Sequence, residues 1–549
     1  MDEIKITPLG GLGRTGALNC LLYETETTAI LVDCGAGFVD ERFPGVGLII
    51  PNFDILETKR DKLKAVIFTH GHEDHVGATP YLLKKFDLPL YATPFAQGIL
   101  RAKLNDFSLH NTDIYELKPH ETITLGDITI EPVFITHSIL DVVAFLIETK
   151  GFKAFHCTDF KLDDHAVDDY MMDLNKFEKI GQKGLDLLLL DSTNALEEGR
   201  SLSEAEISSS LLDVFNNTRG RLITCLFSSN SYRLQTLLDC AKKTNRKVAL
   251  TGRSAKEYFR IASNLQRLNL DNIDLYDVEE ITQFPENEIF VIVTGSQAEP
   301  RSVLNRMAND QFKPFKVRDG DTLIMSSRMI PGNEGRILEM LNKLSMLGAS
   351  IITDTEYSPI HVSGHAMAEE LKDVLKVLKP KHLIPIHGEH RQLKELATIA
   401  CKGGIPQRNI HLLVDGDHIS LNKEGIRYLD QFHLEPVFIS ENPEYYINID
   451  AIKRRRKLAF NGLVIVSVLY DAEQKAVTLP ISLFSEGLFG GSQEAKILKK
   501  LTKHIEHLLE EDSQMNKDDV TKWFKKTINR YYKSEYQVRP EIVVMVNEL

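Results

Sequence analysis

A group of histidines and acidic residues directly after an apolar run constrains this chain more than any other feature. Residues 69–75 read Thr-His-Gly-His-Glu-Asp-His and follow the strand-like run Ala65–Phe68. This H-x-H-x-D-H pattern offers four potential metal ligands on one loop: His70, His72, Asp74 and His75. The mixture of imidazole and carboxylate suits zinc, with manganese or iron as alternatives. Four ligands within six residues exceed what one open catalytic ion needs, and therefore favour two metal ions.

Further candidate ligands follow apolar runs elsewhere in the chain. His137 and Asp159 each come just after such a run, and His387 ends another. Each stands where the carboxyl end of a strand would bring it beside the first loop, which favours a ligand over an isolated surface or core residue. His156 and His390 are competing candidates that the sequence by itself does not separate from these three.

The composition excludes a fibrous chain and a wholly disordered one. Of the 549 residues, 43% are hydrophobic and 26% charged, as in ordinary globular proteins, and the length predicts about three or four domains. The net charge of −13 indicates no general nucleic-acid-binding surface, although a local basic groove is compatible with it. No apolar stretch reaches the roughly 18 residues of a membrane helix, so we expect no membrane association. The six scattered cysteines lack C-x-x-C spacing and predict reduced thiols in the cytoplasm.

Hydrophobic patterning divides most of the chain into an α/β domain with a second α/β block inside it. Residues 1–200 read as short apolar strands with helical patterns between them, which predicts an α/β layered fold. Residues 201–350 alternate regularly between strand and helix, starting with a capping-box pattern at Ser203 and Glu206, and predict a parallel sheet with helices on both faces. Short strands return over residues 351–433, so we expect the middle block to be an insertion into the first domain.

The C-terminal part differs in pattern and in charge. Helix and strand signals fade over residues 434–458, which we interpret as a linker ending in the basic cluster Lys453–Lys457. Residues 459–549 then predict a small α/β domain of two strands, two helices and a final strand. Residues 451–549 contain 17 basic and 13 acidic residues, so this part is basic while the whole chain is acidic.

The H-x-H-x-D-H loop, followed by a single His, a single Asp and a final His, resembles the metallo-β-lactamase superfamily. Three motifs narrow the resemblance to its β-CASP family: Asp191–Asn194 (Asp-Ser-Thr-Asn), His361–His365 (His-Val-Ser-Gly-His) and Ile386–Glu389 (Ile-His-Gly-Glu). The C-terminal run, from the three arginines at 454–456 to Arg-Pro-Glu-Ile-Val-Val at 539–544, is similar to the third domain of the ribonuclease J family. The resemblance covers nearly the whole chain. It implies a metallo-β-lactamase αββα sandwich with an inserted β-CASP α/β domain and a small C-terminal α/β domain.

The resemblance also implies a two-metal site that hydrolyses phosphodiester bonds. One ion would be held by His70, His72 and His137 and the other by Asp74, His75 and His387, with Asp159 bridging both. The ions, Zn²⁺ with Mn²⁺ as the alternative, would activate water for in-line attack on phosphorus. His365 would stabilise or protonate the leaving 3′ oxygen, and Asp191 would orient His365 or a ligating histidine. Catalytic roles are thus expected for Asp74, Asp191 and His365.

Residues 228–230 precede a predicted helix and offer either an ordinary helix cap or an anion site. They supply hydroxyl and amide groups, and the N-terminal N–H groups of a helix attract anions. In the family that this chain resembles, the corresponding serines and the His-Val-Ser-Gly-His segment hold the 5′-monophosphate of RNA. The substrate-binding residues expected on this basis are Ser228, Ser229, Asn230, His361, Val362, Ser363, Gly364 and His365. Arg253 is a weaker candidate, with a solvated loop charge as its alternative.

The activity that the resemblance implies is 5′→3′ exonucleolytic degradation of single-stranded RNA, with a preference for a 5′-monophosphate and with endonucleolytic cleavage as well. The implied context is RNA maturation and decay, in a homodimer or homotetramer. Two alternatives stay open at this point: a DNA-directed β-CASP nuclease and a non-catalytic RNA-processing scaffold. The chain departs from the family at residues 13–19, and it has Gly47 and Asn52 where relatives often have aspartates, so we infer no calcium site.

Overall fold

The computed structural model describes residues 3–14, 16–38, 42–163, 172, 174–330, 332–354, 359–422 and 424–549. The chain divides into two compact units. The first comprises Met1–Phe38 and Ile49–Pro436, and the second comprises Val39–Leu48 and Val437–Leu549. Each unit has a hydrophobic core of its own.

Two sheets pack against each other in the first unit. The order in the eight-stranded sheet is Gly425–Gln431, Asp417–Asn422, Ile4–Gly10, Cys20–Glu24, Ala29–Val32, Leu63–Ile67, Leu90–Ala92 and Ile114–Glu116. The order in the six-stranded sheet is His382–Ile386, Leu187–Asp191, Phe152–Cys157, Val143–Thr149, Ile128–Phe134 and Ile123–Leu125. One buried cluster contains side chains of both sheets, for example Ile6 and Ile67 with Phe145 and Leu189. The accompanying helices are Glu73–Val76, Thr79–Leu83, Pro94–Asp106, Leu174–Gln182, Ala368–Leu378 and His390–Lys402. The predicted sandwich is confirmed.

Strands from residues 351–433, which follow the inserted block, complete both of these sheets. His382–Ile386 pairs in parallel with Leu187–Asp191, so that Ile386 lies opposite Asp191. Asp417–Asn422 pairs antiparallel with the first strand, with Ile419 opposite Ile6. The predicted insertion is therefore confirmed, because residues on both sides of the middle block share the same two sheets.

The inserted block is built on a parallel sheet. Its order is Leu275–Tyr276, Lys247–Thr251, Ile289–Val293, Leu222–Leu226, Thr322–Ser326 and Ser350–Ile352, and every pairing in it is parallel. Its α-helices are Glu204–Asn217, Ser231–Lys243, Arg253–Asn264, Val303–Ala308 and Glu334–Met346. The capping box predicted at Ser203 and Glu206 is present at the start of the first of these helices. The parallel sheet is confirmed, whereas the domain limits at residues 200, 350, 433 and 458 stay predictions.

The second unit contains two small three-stranded sheets. One has the order Tyr446–Ile447, Val437–Ser440 and Val46–Ile50, and the other has the order Ala476–Glu486, Leu463–Asp471 and Glu541–Glu548. The helices are Ile449–Asn461, Gly491–Glu511 and Lys517–Tyr536. Residues 434–458, which the sequence predicted as a linker, thus include two short strands and most of a helix. The sequence pattern did not predict them, because the strands are only four and two residues long and the helix carries a run of charged side chains.

Two further expectations concern the membrane and the cysteines. Among the helices that the structure describes, none has both the length and the apolarity to cross a membrane. All six cysteines are free thiols, and five of them are buried, which agrees with the predicted reduced state.

Candidate metal centre

The H-x-H-x-D-H loop begins where the strand Leu63–Ile67 ends. His72 has extended backbone angles (φ −68°, ψ 151°) and caps the one-turn helix Glu73–Val76. The turn that follows brings Asp74 and His75 back toward His70, whose ring centroid lies 4.1 Å from that of His75. Local chain geometry therefore gathers the ligands of this loop before any distant residue is added.

The first cluster consists of three imidazoles and one carboxylate. The nitrogen and oxygen atoms that His70, His72, His137 and Asp159 offer all lie within 4.8 Å of one another. Nδ1 of His72 lies 3.0 Å from Nε2 of His70 and 3.2 Å from Nε2 of His137. Oδ2 of Asp159 lies 3.7 Å from His70 and 3.6 Å from His137. Four ligands at 2.0–2.1 Å around a tetrahedral zinc ion lie about 3.3 Å apart, which these spacings match.

The second cluster shares Asp159 with the first but uses its other oxygen. Oδ1 of Asp159 lies 3.3 Å from Nε2 of His75 and 3.4 Å from Nε2 of His387. Oδ2 of Asp74 lies 3.5 Å from His75 and 3.2 Å from His387. Each carboxylate oxygen of Asp159 thus faces a different set of histidines. The two clusters therefore fit a dimetal site with one bridging carboxylate.

The ring nitrogens that face away from the clusters have fixed partners. Nδ1 of His75 lies 2.7 Å from Asp33, Nδ1 of His137 lies 2.6 Å from the carbonyl oxygen of Gly364, and Nδ1 of His387 lies 2.7 Å from the Thr193 hydroxyl. Such partners fix the tautomer and the orientation of a ligating imidazole. In these three histidines Nε2 is thereby directed into the clusters.

The electrostatics of the second cluster suit a cation. Burial lowers the pKa of His75, but the carboxylates of Asp159, Asp74 and Asp33 outweigh it and raise that pKa to about 10. Burial raises the pKa of Asp74, but His75 and His387 outweigh it and lower that pKa to about 2. Because Asp74 stays ionised and the neighbouring carboxylates favour positive charge at His75, the potential here is negative and attracts a divalent ion.

His365 lies at the edge of both clusters, and its ring nitrogen that faces away from them is held by a carboxylate. Its Nδ1 is 2.7 Å from Oδ2 of Asp191, and its Nε2 is 4.0 Å from Oδ2 of Asp159. Asp191 also approaches Nδ1 of His387, at 3.5 Å. Asn194 donates to the hydroxyl of Ser363 (2.8 Å) and to the carbonyl oxygen of His365 (3.0 Å). The imidazole of His365 therefore presents Nε2 to the space beside the ligands.

The competing histidines lie outside the clusters formed by the described residues. Nδ1 of His156 lies 2.9 Å from the hydroxyl of Tyr23, inside the sandwich core, and burial lowers the pKa of His156 to about 3. His390 is exposed at the first position of the helix His390–Lys402. Arg253, the weaker phosphate candidate, pairs with Asp106 at 2.5 Å.

Two residues of the site were not predicted from the sequence. Asp33 binds His75 and also accepts hydrogen bonds from the backbone and hydroxyl of Thr69, both at 2.8 Å. Asn19 lies 3.2 Å from Oδ2 of Asp74 and 3.0 Å from Nε2 of His75. Asp33 follows the apolar strand Ala29–Val32, which is the same signal that identified Asp159, whereas nothing in the pattern around Asn19 distinguishes it.

The residues predicted to hold a 5′-phosphate occupy two loops. Ser228 and Ser229 precede the helix Ser231–Lys243, and the hydroxyl of Ser228 lies 3.0 Å from that of Ser254. Asn230 is buried and caps this helix by accepting from the backbone N–H of Arg233 at 2.9 Å, so its side-chain oxygen already has a structural role.

The second of these loops is the segment His361–His365. The side chain of Val362 is buried in it, which leaves its backbone for any contact with a ligand. A Cβ atom at Gly364 would lie 2.6 Å from the His137 ring, so only glycine fits there.

Models of protein families match four parts of the chain. A β-lactamase superfamily domain matches residues 28–200, and the ribonuclease J β-CASP domain matches residues 219–344. A Zn-dependent metallo-hydrolase RNA specificity domain matches residues 356–406, and the ribonuclease J C-terminal domain matches residues 450–549. Ribonuclease J of Helicobacter pylori strain 26695 is 35% identical over 509 residues, which cover 92% of this chain and 74% of the relative. The chain belongs to the ribonuclease J family.

Other ribonuclease J proteins are similar to this chain over most of their length. The Synechocystis protein is 32% identical over 99% of this chain and 87% of its own, and the Thermus thermophilus protein is 34% identical over 85% and 82%. A solved structure from Enterococcus faecalis V583, described as a protein of unknown function, covers 76% of this chain and all of its own with a TM-score of 0.52 and 16% identity, and it supports the fold alone. As a member of the ribonuclease J family, the chain is a nuclease of the metallo-β-lactamase and β-CASP type, and the resemblance predicted from its motifs is confirmed.

Proposed function

We propose that this ribonuclease J family member degrades single-stranded RNA in the 5′→3′ direction, prefers a 5′-monophosphate and also cleaves internally, in RNA maturation and decay. The observation that carries the proposal is the position of the segment His361–His365. The ring of His361 lies 6.3 Å from that of Phe227, which directly precedes Ser228. At the other end of the segment, the Gly364 oxygen binds Nδ1 of the proposed ligand His137, and Nε2 of His365 faces the ligand clusters. One short segment thus connects the serine loop to the metal centre.

The length of this segment supports cleavage close to a bound 5′ end. Four residue steps in extended backbone span at most about 14 Å. A phosphate held between His361 and the serines would therefore lie only a few nucleotides from the scissile bond. Each cut leaves a 5′-phosphate on the shortened strand, which can bind again in the same way.

The side chains of the clusters would hold two divalent ions, which we propose to be Zn²⁺ with Mn²⁺ as the alternative. His70, His72 and His137 would hold one, Asp74, His75 and His387 the other, and Asp159 would bridge them. When bound, such ions acidify water and stabilise negative charge on phosphoryl oxygens. His365 donates a proton or a hydrogen bond from Nε2 to the leaving 3′ oxygen, and Asp191 keeps its ring in that orientation. Elemental analysis of the purified protein identifies the resident metal.

The proposed preference follows from the hydrogen-bond donors around the 5′ end. Ser228 and Ser229 precede a helix N-terminus, where backbone N–H groups favour an anion. A 5′-hydroxyl leaves those donors unpaired, at about 1–3 kcal/mol for each buried group, and a 5′-triphosphate is bulkier and more highly charged than such a pocket accepts. Either end should slow exonucleolytic degradation by roughly 5- to 150-fold, while internal cleavage persists.

Digestion of RNA labelled at its 3′ end tests the proposal. Three substrates of one sequence carry a 5′-monophosphate, a 5′-triphosphate or a 5′-hydroxyl, and a matched DNA strand is the fourth. The proposal expects the labelled strand to shorten from its 5′ end one nucleotide at a time, and fastest for the monophosphorylated RNA. Equal rates on the three RNA ends contradict the 5′-phosphate pocket and favour an endonuclease, and faster cleavage of the DNA strand favours the DNA-directed alternative.

We also propose that the protein is cytoplasmic and forms a homodimer or homotetramer through its C-terminal unit. In that unit, helices cover one face of the sheet formed by Ala476–Glu486, Leu463–Asp471 and Glu541–Glu548. The sheet also exposes Phe484, Val543 and Met545 at 52%, 43% and 51% of their surface. Apolar residues exposed on a sheet are typical of a protein interface, which supports self-association there.

A further inference from the structure

Arg233 is an arginine buried in the first unit. It lies on the helix Ser231–Lys243, its exposed fraction is 0%, and it is among the largest fully buried side chains of the described residues. Nε and Nη2 donate to the carboxylate of Glu204 at 2.9–3.2 Å, and Nη1 donates to the hydroxyl of Ser326 and, at 2.6 Å, to the carbonyl oxygen of Ile360. A buried guanidinium held by a carboxylate and two further acceptors has a defined position.

This arginine connects the two loops that we propose to hold the 5′-phosphate. Its backbone N–H donates to Asn230 at 2.9 Å and closes the turn that follows Ser229. Its side chain holds the carbonyl oxygen of Ile360, the residue directly before His361. Ser326 donates to the same oxygen at 2.7 Å. One residue therefore contacts both sides of the proposed pocket.

The far end of the segment has separate supports. His365 is held by Asp191 through its ring and by Asn194 through its carbonyl oxygen. The segment is thus fixed at Ile360 from the inserted block and at His365 from the sandwich. Loss of the contact at Ile360 would shift the pocket relative to the metal centre without removing any proposed ligand.

We infer that Arg233, held by Glu204, is a positioning residue that sets the distance from the 5′-phosphate pocket to the metal centre and thereby the discrimination between 5′ ends. This inference rests on the proposed function. It assigns a selective role to Arg233: cleavage directed by the 5′ end depends on it, whereas hydrolysis at the metal centre does not. Among the described residues, the hydrogen bonds of Arg233 go to Glu204, Asn230, Ser326 and Ile360, and none of these four is a proposed metal ligand.

The main test replaces the whole ion pair, because removing one partner leaves the other charge buried and can prevent folding. Glu204→Leu combined with Arg233→Met keeps the volume and removes both charges. We expect the ratio of kcat/KM for 5′-monophosphate RNA to that for 5′-hydroxyl RNA to fall from roughly 5–150 in the unmodified protein to about 1. Hydrolysis of bis(p-nitrophenyl) phosphate should stay within twofold, and so should the metal content. Arg233→Lys keeps the positive charge but lacks the planar guanidinium group that donates several N–H hydrogen bonds. It should give a kcat/KM ratio between those of the unmodified protein and the double variant.

A second buried pair of the same inserted block serves as the matched control. Arg221 donates from Nε and Nη2 to the two oxygens of Asp321, each at 2.6 Å, and both residues are buried. Arg221→Met with Asp321→Leu removes a pair of the same geometry that does not contact Ile360, and should leave the ratio unchanged.

Each remaining outcome of the test has a fixed meaning. An unchanged ratio in the folded Glu204/Arg233 variant overturns the inference, and so does an equal fall in the control, since that reflects general loosening of the inserted block. If the unmodified protein itself does not discriminate between 5′ ends, the proposed function fails before the variants are compared.

Discussion

Nδ1 of His365 and Oδ2 of Asp191 lie 2.7 Å apart although 174 residues separate them in the chain. Asp191 ends a strand of the six-stranded sheet, and His365 belongs to the segment that returns from the inserted block. The contact turns the other nitrogen of His365 toward the ligand clusters. It therefore joins the segment His361–His365 to a sheet that carries proposed metal ligands.

We predict that His365→Ala lowers kcat by about 10²- to 10⁴-fold, the usual contribution of general acid–base catalysis. The KM for RNA and the metal content should change little, because His365 is not among the proposed ligands of either ion. Steady-state kinetics with elemental analysis measures both. His390→Gln, at an exposed histidine, is the control and should be indistinguishable from the unmodified protein. A fall of less than tenfold in kcat contradicts the assigned role.

We expect Asp74→Ala to abolish phosphodiester cleavage and to remove about one equivalent of metal. Asp74 contributes an oxygen 3.2 Å from His387 and 3.5 Å from His75, so its loss takes one of the four proposed ligands from the second cluster. Glu73→Gln tests the neighbouring residue, whose carboxylate pairs with Lys103 at 2.6 Å. A cleavage rate of Asp74→Ala within about tenfold of that of the unmodified protein would contradict the two-metal assignment. Tenfold corresponds to about 1.4 kcal/mol of activation free energy.

Asp33→Asn should weaken metal binding at the second cluster by about 10- to 100-fold, as is typical for partners of ligating histidines. The amide that replaces the carboxylate binds Nδ1 of His75 more weakly and no longer offsets the charge of a cation. Titration with a chelator measures the affinity, and added metal should restore activity. Failure of excess metal to restore cleavage would show that Asp33 does more than orient His75.

The buried His156 should make the folded protein sensitive to acid. Burial lowers its pKa to about 3, whereas an unfolded chain protonates a histidine near pH 6.5. This contribution to stability is complete above pH 6.5 and is lost as the pH falls toward 3, by about 1.4 kcal/mol per pH unit. His156→Gln should therefore lose less stability than the unmodified protein between pH 6.5 and 5.5, in denaturant titrations at saturating metal. Parallel pH profiles for the two proteins would contradict the prediction.

We predict that Met545→Lys lowers the oligomeric state in light scattering and leaves the fold intact. The side chain is half exposed on the open part of the C-terminal sheet, so a lysine there disturbs an interface but no core contact. Met346→Lys, at a methionine that is 87% exposed in the inserted block, is the matched control. Assembly that survives Met545→Lys unchanged argues for an interface elsewhere.

Much of the candidate site could be predicted from the sequence because its proposed ligands follow strands. The apolar run before His70 and the short spacing from His70 to His75 require a strand followed by one tight loop. The strand-end rule likewise identified Asp159 and His387. It could not describe the backbone at His387, where φ is 53°, or at Asp33, where φ is 62°. Left-handed conformations of this kind in non-glycine residues are maintained by surrounding structure and not by the local sequence.

The sequence by itself determined the types of ligand, their order along the chain and the strands that carry them, because these depend on local periodicity and residue chemistry. Only the tertiary structure decided that each oxygen of Asp159 faces a different cluster, that His156 contacts Tyr23 outside both clusters, and that Arg233 reaches Ile360. Those contacts join residues from separate strands and from the inserted block. Their distances depend on how the sheets pair and pack, and no local pattern encodes that geometry.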